Sequence, residues 1–169
     1  SLHDALPIST LAAVLDWARQ AETLSHGIVD VTLLDARLQA EGAADPMAAP
    51  AFDGARDRSW SMDRTSRVTF IRRAPGLRLD LDGIAKGWLA DRALARLGAF
   101  PAAVVDADGD VAIRLDAGQR WRFGVADPRT TGMDLVELDL AGPDDRDDGA
   151  RRTTFGLATS GTSVHRWSR

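Results

Sequence analysis

The chain has no cysteine, no tyrosine and no asparagine among its 169 residues, and its single lysine is Lys86. The absence of cysteine excludes a disulfide framework, a thiolate metal site and a thiol nucleophile. No apolar run approaches the roughly 20 residues that span a bilayer, so this sequence contains no transmembrane helix. The 21 basic residues are outnumbered by 25 acidic ones, giving a formal net charge of −4. This balance argues against a nucleic-acid-binding protein.

What the chain does contain is ordinary for a globular domain: 44% hydrophobic and 27% charged residues, with 15 Gly and 7 Pro. Its length favours one domain. The opening octapeptide, SLHDALPI, reads like a translated sequencing adapter, so we expect residues 1–8 to be a scar of sequencing or cloning. We expect residues 9–169 to be the central part of a single domain that lacks both ends. The sequence favours no compartment and no oligomeric state.

Helical spacing of apolar residues predicts three helices, at 11–24, 33–40 and 86–97. Ser9 or Thr10 is the expected N-cap of the first, and Gly27 is expected to end it. Gly98 is expected to end the third helix. The segment 41–59 is rich in Ala, Pro, Gly and Asp, which predicts a long loop.

Alternating apolar residues predict a pair of strands around the turn Ala74–Gly76, followed by five more strands; the seven lie at 68–72, 77–81, 102–105, 111–115, 121–125, 135–140 and 155–158. Strands in groups, with a few helices among them, indicate an α+β domain. The acidic and arginine-rich stretch 142–152 is expected to be a solvated loop.

The motif with the clearest chemistry is Asp80-Leu-Asp-Gly-Ile-Ala-Lys86-Gly-Trp88. A helix that starts near Lys86, directly after a glycine turn, favours binding of an anion such as phosphate. A carboxylate about 4 Å from a phosphate oxygen would repel it by about 4 kcal/mol at an effective dielectric constant near 20. A phosphate beside Asp80 and Asp82 therefore needs a cation, and Mg²⁺ held partly by backbone carbonyls of the glycine turn would serve. In the alternative reading, both aspartates merely cap the helix and Lys86 lies in solvent.

This motif is one of an ordered set of five, which comprises Gly27–Thr32 (GIVDVT), Asp80–Asp91, Asp106–Asp110 (DADGD), Trp121 with Asp127-Pro128, and Ala158–Gly161 (ATSG). In this order the motifs resemble those of the FAD:protein FMN transferase (ApbE) family, and the similarity covers nearly all of residues 10–169. The D-L-x-G-I-A-K-G stretch is the most specific part of the resemblance. It implies an ApbE-like fold, related to the T-fold, with antiparallel sheets and packed helices, of which this chain would hold an incomplete part.

The resemblance also implies a reaction. Such enzymes cleave the pyrophosphate of FAD and attach the FMN moiety to a Thr or Ser hydroxyl of a target flavoprotein, and AMP leaves. Phosphoryl transfer of this kind depends on positioning and charge stabilisation, so no side chain is assigned as catalytic. The residues that match FAD-contacting positions are Ile28, Val29, Asp30, Asp80 and Lys86. Gly83 matches a position whose backbone oxygen binds Mg²⁺, and Ser160 and Gly161 lie in a motif near the flavin.

Each of these assignments has a plainer alternative. In these alternatives, Ile28 and Val29 are ordinary core residues, Asp30 is a turn former and Ser160 is a hydroxyl at a strand end. Two departures from the family pattern add negative charge: Asp106 and Asp108 replace the family's Asn and first Gly in N-x-G-G-D. Asp82 likewise replaces a small residue.

The family's remaining metal ligands follow a H-x-x-D-P-x-T-G segment, which this sequence does not contain. We therefore expect the complete gene product to be the transferase, with FAD as substrate, Mg²⁺ as cofactor and a target flavoprotein as partner. The 169 residues alone are expected to be inactive or nearly so. The alternative function is a non-catalytic FAD-binding module.

Overall fold

The computed structural model describes residues 8–41, 58–65, 68–127, 129–130, 132–144 and 151–159. The chain divides into two compact units, the first made mainly of residues 1–85 and the second of residues 86–164. The division falls between Ala85 and Lys86, inside a single helix.

The first unit contains helices α1 (Ile8–Leu24) and α2 (Leu34–Ala40), strands β1 (Trp60–Arg64) and β2 (Thr69–Arg73), and the start of helix α3 (Asp82–Arg96). Its buried apolar residues come from α1, from the segments before α2 and after β2, and from the first turn of α3; they include Ala12, Leu15, Ala18, Val31, Leu77 and Ile84. The spacing of three and four along α1 places its buried residues on one face.

Helix α1 ends as predicted near Gly27, but the residue in the left-handed C′ position is His26, with φ 53°. The N–H of Gly27 donates to Glu22 O at 2.8 Å, and the N–H of His26 donates to Thr23 O at 3.2 Å. These two bonds form a Schellman motif, which satisfies the last carbonyls of the helix. The predicted N-cap is wrong, because the helix already includes Ser9 and Thr10.

The strand predicted at 77–81 is wrong. Strand β2 pairs instead with β1, antiparallel, with Trp60 opposite Arg73. The segment 77–81 lies outside the sheets because its backbone groups have other partners: Leu77 N–H donates to Ala74 O at 3.1 Å, and Asp80 N–H donates to Val31 O at 2.7 Å. Strand β1 was missed because only two apolar residues, Trp60 and Met62, alternate with polar ones in its sequence, WSMDR, which is too short a pattern to stand out.

The second unit contains the rest of α3 and strands β3 (Ala102–Ala107), β4 (Asp110–Asp116), β5 (Arg120–Ala126), β6 (Asp134–Ala141) and β7 (Arg152–Ala158). All five strands were predicted, within a few residues at their ends. Strands β3, β4 and β7 form an antiparallel sheet in that order, and β5 and β6 form a separate hairpin. The core lies between α3 and this sheet and includes Ala90, Leu94, Ala103 and Ala112.

A buried arginine closes helix α3 at its carboxyl end. Arg114, on the central strand β4, is only 5% exposed. Its guanidinium donates to Leu94 O at 3.3 Å, to Phe100 O at 3.0 Å and to Leu97 O. Leu94 O and Leu97 O also accept backbone N–H groups, from Leu97 at 3.0 Å and from Phe100 at 3.1 Å. The arginine therefore adds a positively charged donor at the end of the helix, where the helix dipole favours a cation.

The described residues contain helices and antiparallel sheets together, which confirms the predicted α+β class. The finer ApbE-like arrangement stays a prediction, as does a single domain over 9–169. Within the described ranges, no helix has the length and apolar character needed to cross a membrane.

Candidate functional site

Asp30 organises the turn that follows helix α1. Its Oδ1 accepts the N–H of Thr32 at 2.8 Å and the Thr32 hydroxyl at 2.6 Å. Its Oδ2 lies 3.2 Å from Arg58 Nη1, so the carboxylate is both a turn former and one partner of an ion pair. The plainer alternative for Asp30, that it forms a turn, therefore has direct geometric support.

Ile28 and Val29, the neighbours of Asp30, differ in their environment. Ile28 is 86% exposed, so it is not a core residue of the first unit. Val29 is half-buried, and its N–H donates to Ser25 Oγ at 2.9 Å. An isoleucine exposed to this extent beside an anchored turn is available for contact with a ligand.

Asp80 joins two motifs that are far apart in sequence. Its N–H donates to Val31 O at 2.7 Å, which places the start of the Asp80–Asp91 motif, named DGIAKG below after its residues 82–87, directly beside the GIVDVT turn. Its carboxylate Oδ1 accepts the N–H of Asp82 at 3.0 Å, and its Oδ2 lies 2.7 Å from Arg37 Nε. Asp80 therefore helps to begin helix α3 and is also charge-paired.

Arg37, on α2, was not singled out from the sequence. Its Nη1 also lies 3.5 Å from Asp82 Oδ2 and 3.6 Å from Glu41 Oε1. One guanidinium thus faces the two carboxylates for which the sequence argument required a cation. The arginine supplies part of that compensation before any metal ion is considered.

Gly83 does not lie in a tight turn. Helix α3 begins at Asp82, ahead of the predicted start near Lys86, so Gly83 belongs to its first turn. Leu81 O accepts the N–H groups of Ile84 at 3.1 Å and Ala85 at 2.7 Å. A Cβ built on Gly83 would meet nothing within 4 Å, so space is open beside this backbone.

The described residues do not by themselves assemble a magnesium site. Among them, no three His, Asp or Glu side chains lie together in a way that could hold a metal ion. The two carboxylates nearest to Gly83 in sequence, Asp80 and Asp82, both face Arg37. Gly83 as a ligand of Mg²⁺ stays a prediction.

A polar hollow of about 780 Å³ lies beside Asp30 in the first unit. Its volume falls in the range of small-molecule sites, about 300–1,000 Å³. The Arg19 guanidinium stacks over the Trp60 ring at 4.5 Å from its centroid, which gives this hollow a cationic and an aromatic surface. Other residues that line it are Thr32, Arg58 and His26.

In the second unit, the DADGD motif forms the tight turn between β3 and β4. Ala107 pairs with Asp110, which leaves a two-residue loop of Asp108 and Gly109. Both have positive φ, 61° and 93°, as a type I′ turn requires. Aspartate is one of the few residues other than glycine that tolerates this conformation, so Asp108 fits where the family has Gly. Asp106 Oδ1 accepts the N–H of Gly109 at 2.9 Å.

Lys86 lies beside this turn. Its Nζ is 3.0 Å from Asp108 Oδ2, and the two side chains are 40% and 89% exposed. The lysine is therefore ion-paired rather than simply solvated, contrary to the plainer alternative for this residue. The contact brings the DGIAKG and DADGD motifs together.

The ATSG motif reaches the same turn from β7. Thr159 N–H donates to Gly109 O at 3.1 Å, and its hydroxyl lies 3.3 Å from the same oxygen. A Cβ on Gly109 would lie 2.7 Å from Thr159 Oγ1, which only glycine avoids. Ser160 and Gly161 lie outside the described residues.

Asp91 and Asp110 border a second hollow, of about 200 Å³, in the second unit. Its other walls come from α3, β4 and β7 and are formed by small or apolar side chains, which include Gly87, Ala90, Ala112 and Gly156. The Asp91 position of the DGIAKG motif thus faces a space walled by the sheet.

A family model described as the ApbE family matches residues 3–169. The chain belongs to the ApbE family. No curated protein and no solved structure matches it. Membership of the ApbE family points to a flavin transferase, with use of a flavin and a metal in general.

In this ApbE chain, the predicted site residues fall in both units. Ile28, Val29, Asp30, Asp80 and Gly83 lie in the first unit, and Lys86 lies in the second. The first unit brings Asp30 and Asp80 together through the Asp80–Val31 bond, and the second joins Lys86 to the turn at 108–109. The sequence analysis missed Arg37 and Arg58. The chain contains 20 arginines, and nothing in the sequence around these two distinguishes them from the others.

Proposed function

We propose that the protein that carries this chain transfers the FMN moiety of FAD to a Thr or Ser hydroxyl of a target flavoprotein. The pyrophosphate P–O bond of FAD breaks, and a phosphoester bond to the hydroxyl forms. AMP is the leaving group, and the hydroxyl proton is released. Ile28, Val29, Asp30, Asp80 and Lys86 are the proposed FAD contacts.

The observation that carries this proposal is the meeting of three family motifs at one turn. Lys86 of DGIAKG contacts Asp108 of DADGD at 3.0 Å, and Thr159 of ATSG bonds to Gly109 at 3.1 Å. A lysine ammonium near the end of a sheet is suited to hold a phosphate as a point charge. Lys86 is accordingly proposed to offset part of the negative charge on the diphosphate of FAD.

The first unit supports the same function independently. The hollow beside Asp30 is lined by Arg19, Arg58 and Trp60, together with the acidic side chains of Glu22 and Asp30. Guanidinium groups and an aromatic face are suited to a nucleotide, whose phosphates are anionic and whose ring systems stack. Asp30 lines this hollow, and Ile28 directly follows Gly27, another of its lining residues.

Mg²⁺ dependence is part of the proposal and comes from the family resemblance. The Gly83 carbonyl would contribute one oxygen ligand, alongside phosphate oxygens, since Mg²⁺ binds to few protein oxygens in phosphate sites. When bound, the ion would offset the phosphate charge near Asp80 and Asp82. The described residues alone do not complete a site for this ion.

The test is to incubate the purified 169-residue chain with FAD, Mg²⁺ and a Thr-containing acceptor peptide. We expect FAD to bind, with quenched flavin fluorescence, and AMP release to be slow or absent. A version completed by the H-x-x-D-P-x-T-G segment is expected to release AMP and label the acceptor. Rapid AMP release by the chain alone would show that its proposed inactivity is wrong.

Lys86→Met is the matched variant for this assay. Methionine retains an unbranched apolar side chain about as long as the lysine stem but lacks the charged amine. FAD binding is therefore expected to weaken about tenfold or more. The alternative function, an FAD-binding module, predicts FAD binding by the completed protein with neither AMP nor labelled acceptor.

A further inference from the structure

Asp108 carries a negative charge at the turn that approaches the lysine proposed to bind phosphate. Its Oδ2 lies 3.0 Å from Lys86 Nζ. An anionic ligand that binds to this ammonium needs the same space and the same charge. A carboxylate and a phosphate oxygen side by side repel each other strongly.

We propose that Asp108 is an internal competitor for Lys86 and sets the affinity of this site for diphosphate ligands. The inference rests on the proposed function, because it assumes that Lys86 faces the diphosphate of FAD. When the diphosphate binds, the Lys86–Asp108 pair opens and the Asp108 side chain turns towards solvent. Its 89% exposure leaves room for that rotation.

The strength of the pair fits such a role. Exposed ion pairs contribute little to stability, so this contact is easily exchanged for a phosphate. The backbone of the turn does not depend on the pair, because the two-residue loop is held by the Ala107–Asp110 pairing and by the Asp106–Gly109 bond. Opening the pair therefore leaves the turn intact.

The chain offers a matched control on the same turn. Asp106 has the same charge, but its Oδ1 accepts the Gly109 N–H at 2.9 Å, a bond that asparagine would retain. Asp108→Asn and Asp106→Asn each remove one negative charge within the same hairpin. A purely long-range effect on anion binding would be similar in both variants.

Because Lys86 is the only lysine in the chain, an amine-reactive reagent reports on it directly. The modification rate of the Lys86 peptide is measured by mass spectrometry without ligand, with inorganic pyrophosphate and with FAD. Asp108→Asn removes one ionic partner of the amine, so it is expected to raise the ligand-free rate about threefold, and Asp106→Asn to change it less than twofold. Pyrophosphate is expected to protect Lys86 of Asp108→Asn at about threefold lower concentration than in the unsubstituted chain, as the modest strength of an exposed ion pair implies.

Equal rates and equal protection in the two variants would overturn the proposal, and so would a failure of pyrophosphate to protect Lys86 in either. Asp108→Gly, which suits a left-handed position, repeats the test with a second side chain. The FAD arm is judged separately. If pyrophosphate protects Lys86 but FAD does not, the proposed function is refuted while the competition by Asp108 is supported. If the concentration of pyrophosphate that protects Lys86 is the same in Asp108→Asn as in the unsubstituted chain, the competition is refuted, whether or not FAD protects.

Discussion

At the scale of single residues, the turn at Gly109 has the tightest steric requirement in the candidate site. Its φ is 93°, and a Cβ there would lie 2.7 Å from Thr159 Oγ1. Gly109→Ala is expected to lower the free energy of unfolding by about 2–3 kcal/mol, since it adds a close contact to the cost of a left-handed alanine. Urea unfolding followed by circular dichroism measures this loss.

Gly118→Ala is the control for that substitution. Gly118 has a similar φ of 77° but nothing within 4 Å of a built Cβ, so only the backbone cost, about 1 kcal/mol, is expected. Equal losses in the two variants would mean that Thr159 does not contact Gly109.

Individual residues also show what the sequence can predict about a site. Lys86, Asp30 and Asp80 stood out because the motifs around them are specific. Their partners did not stand out, since the Asp80–Arg37 and Lys86–Asp108 contacts join residues 43 and 22 positions apart. Contacts of this range depend on how helices and strands pack, which no local pattern contains.

At the scale of elements, Arg114 determines how helix α3 ends. Arg114→Met would remove the guanidinium donor from the carbonyls of Leu94, Leu97 and Phe100, of which the first two keep a backbone N–H partner. We expect a loss of about 2 kcal/mol in the free energy of unfolding, because hydrogen bonds to a charged group contribute about 1.5–3 kcal/mol. Thermal and urea unfolding provide the measurement.

Arg120→Met provides the comparison for Arg114. Arg120 is paired with Asp139 at 3.1 Å, but its side chain is 67% exposed. Its removal is expected to change stability by less than about 0.5 kcal/mol. If the Arg114 variant were as stable as this one, the proposed closure of α3 by Arg114 would be wrong.

The elements divide clearly into those that the sequence predicts and those that it does not. Strands β5 and β7 show the alternating burial that the sequence pattern predicts, whereas β4, the central strand of its sheet, is buried at consecutive positions from Ala112 to Leu115. The segment 77–81 has the same alternation but is no strand, since Asp80 bonds to Val31 rather than to a neighbouring strand. Alternation gives a tendency for extended structure, and the available partner decides whether a strand forms.

At the scale of the whole molecule, the division between the units cuts helix α3 after Ala85. Nothing in the composition of GIAKG marks a boundary there, because a helix is locally continuous whichever unit each of its turns packs against. The family motifs follow one another along the whole chain in a single order. They therefore show where the candidate site residues lie in the sequence, but not where the first unit ends and the second begins.

The β5–β6 hairpin is expected to be the least protected sheet in the second unit. It has two strands and, among the described residues, no third strand beside it. Two-stranded hairpins are marginally stable alone, whereas β4 lies between two strands and holds Ile113 and Leu115, both 0% exposed. Native-state hydrogen exchange is expected to show protection factors at least about tenfold lower in β5–β6 than in β4.

The apolar face of the β5–β6 hairpin makes the prediction on hydrogen exchange more specific. Trp121 is opposite Leu140 and Phe123 is opposite Leu138, so one face is apolar, while Arg120 and Arg122 project from the other. If the hairpin alone determined its exchange, Phe123→Ala would lower protection in β5 and β6 but leave β4 unchanged, since the lost packing is confined to the hairpin. Equal protection in the hairpin and in β4 of the unsubstituted chain would instead mean that a further surface covers the apolar face.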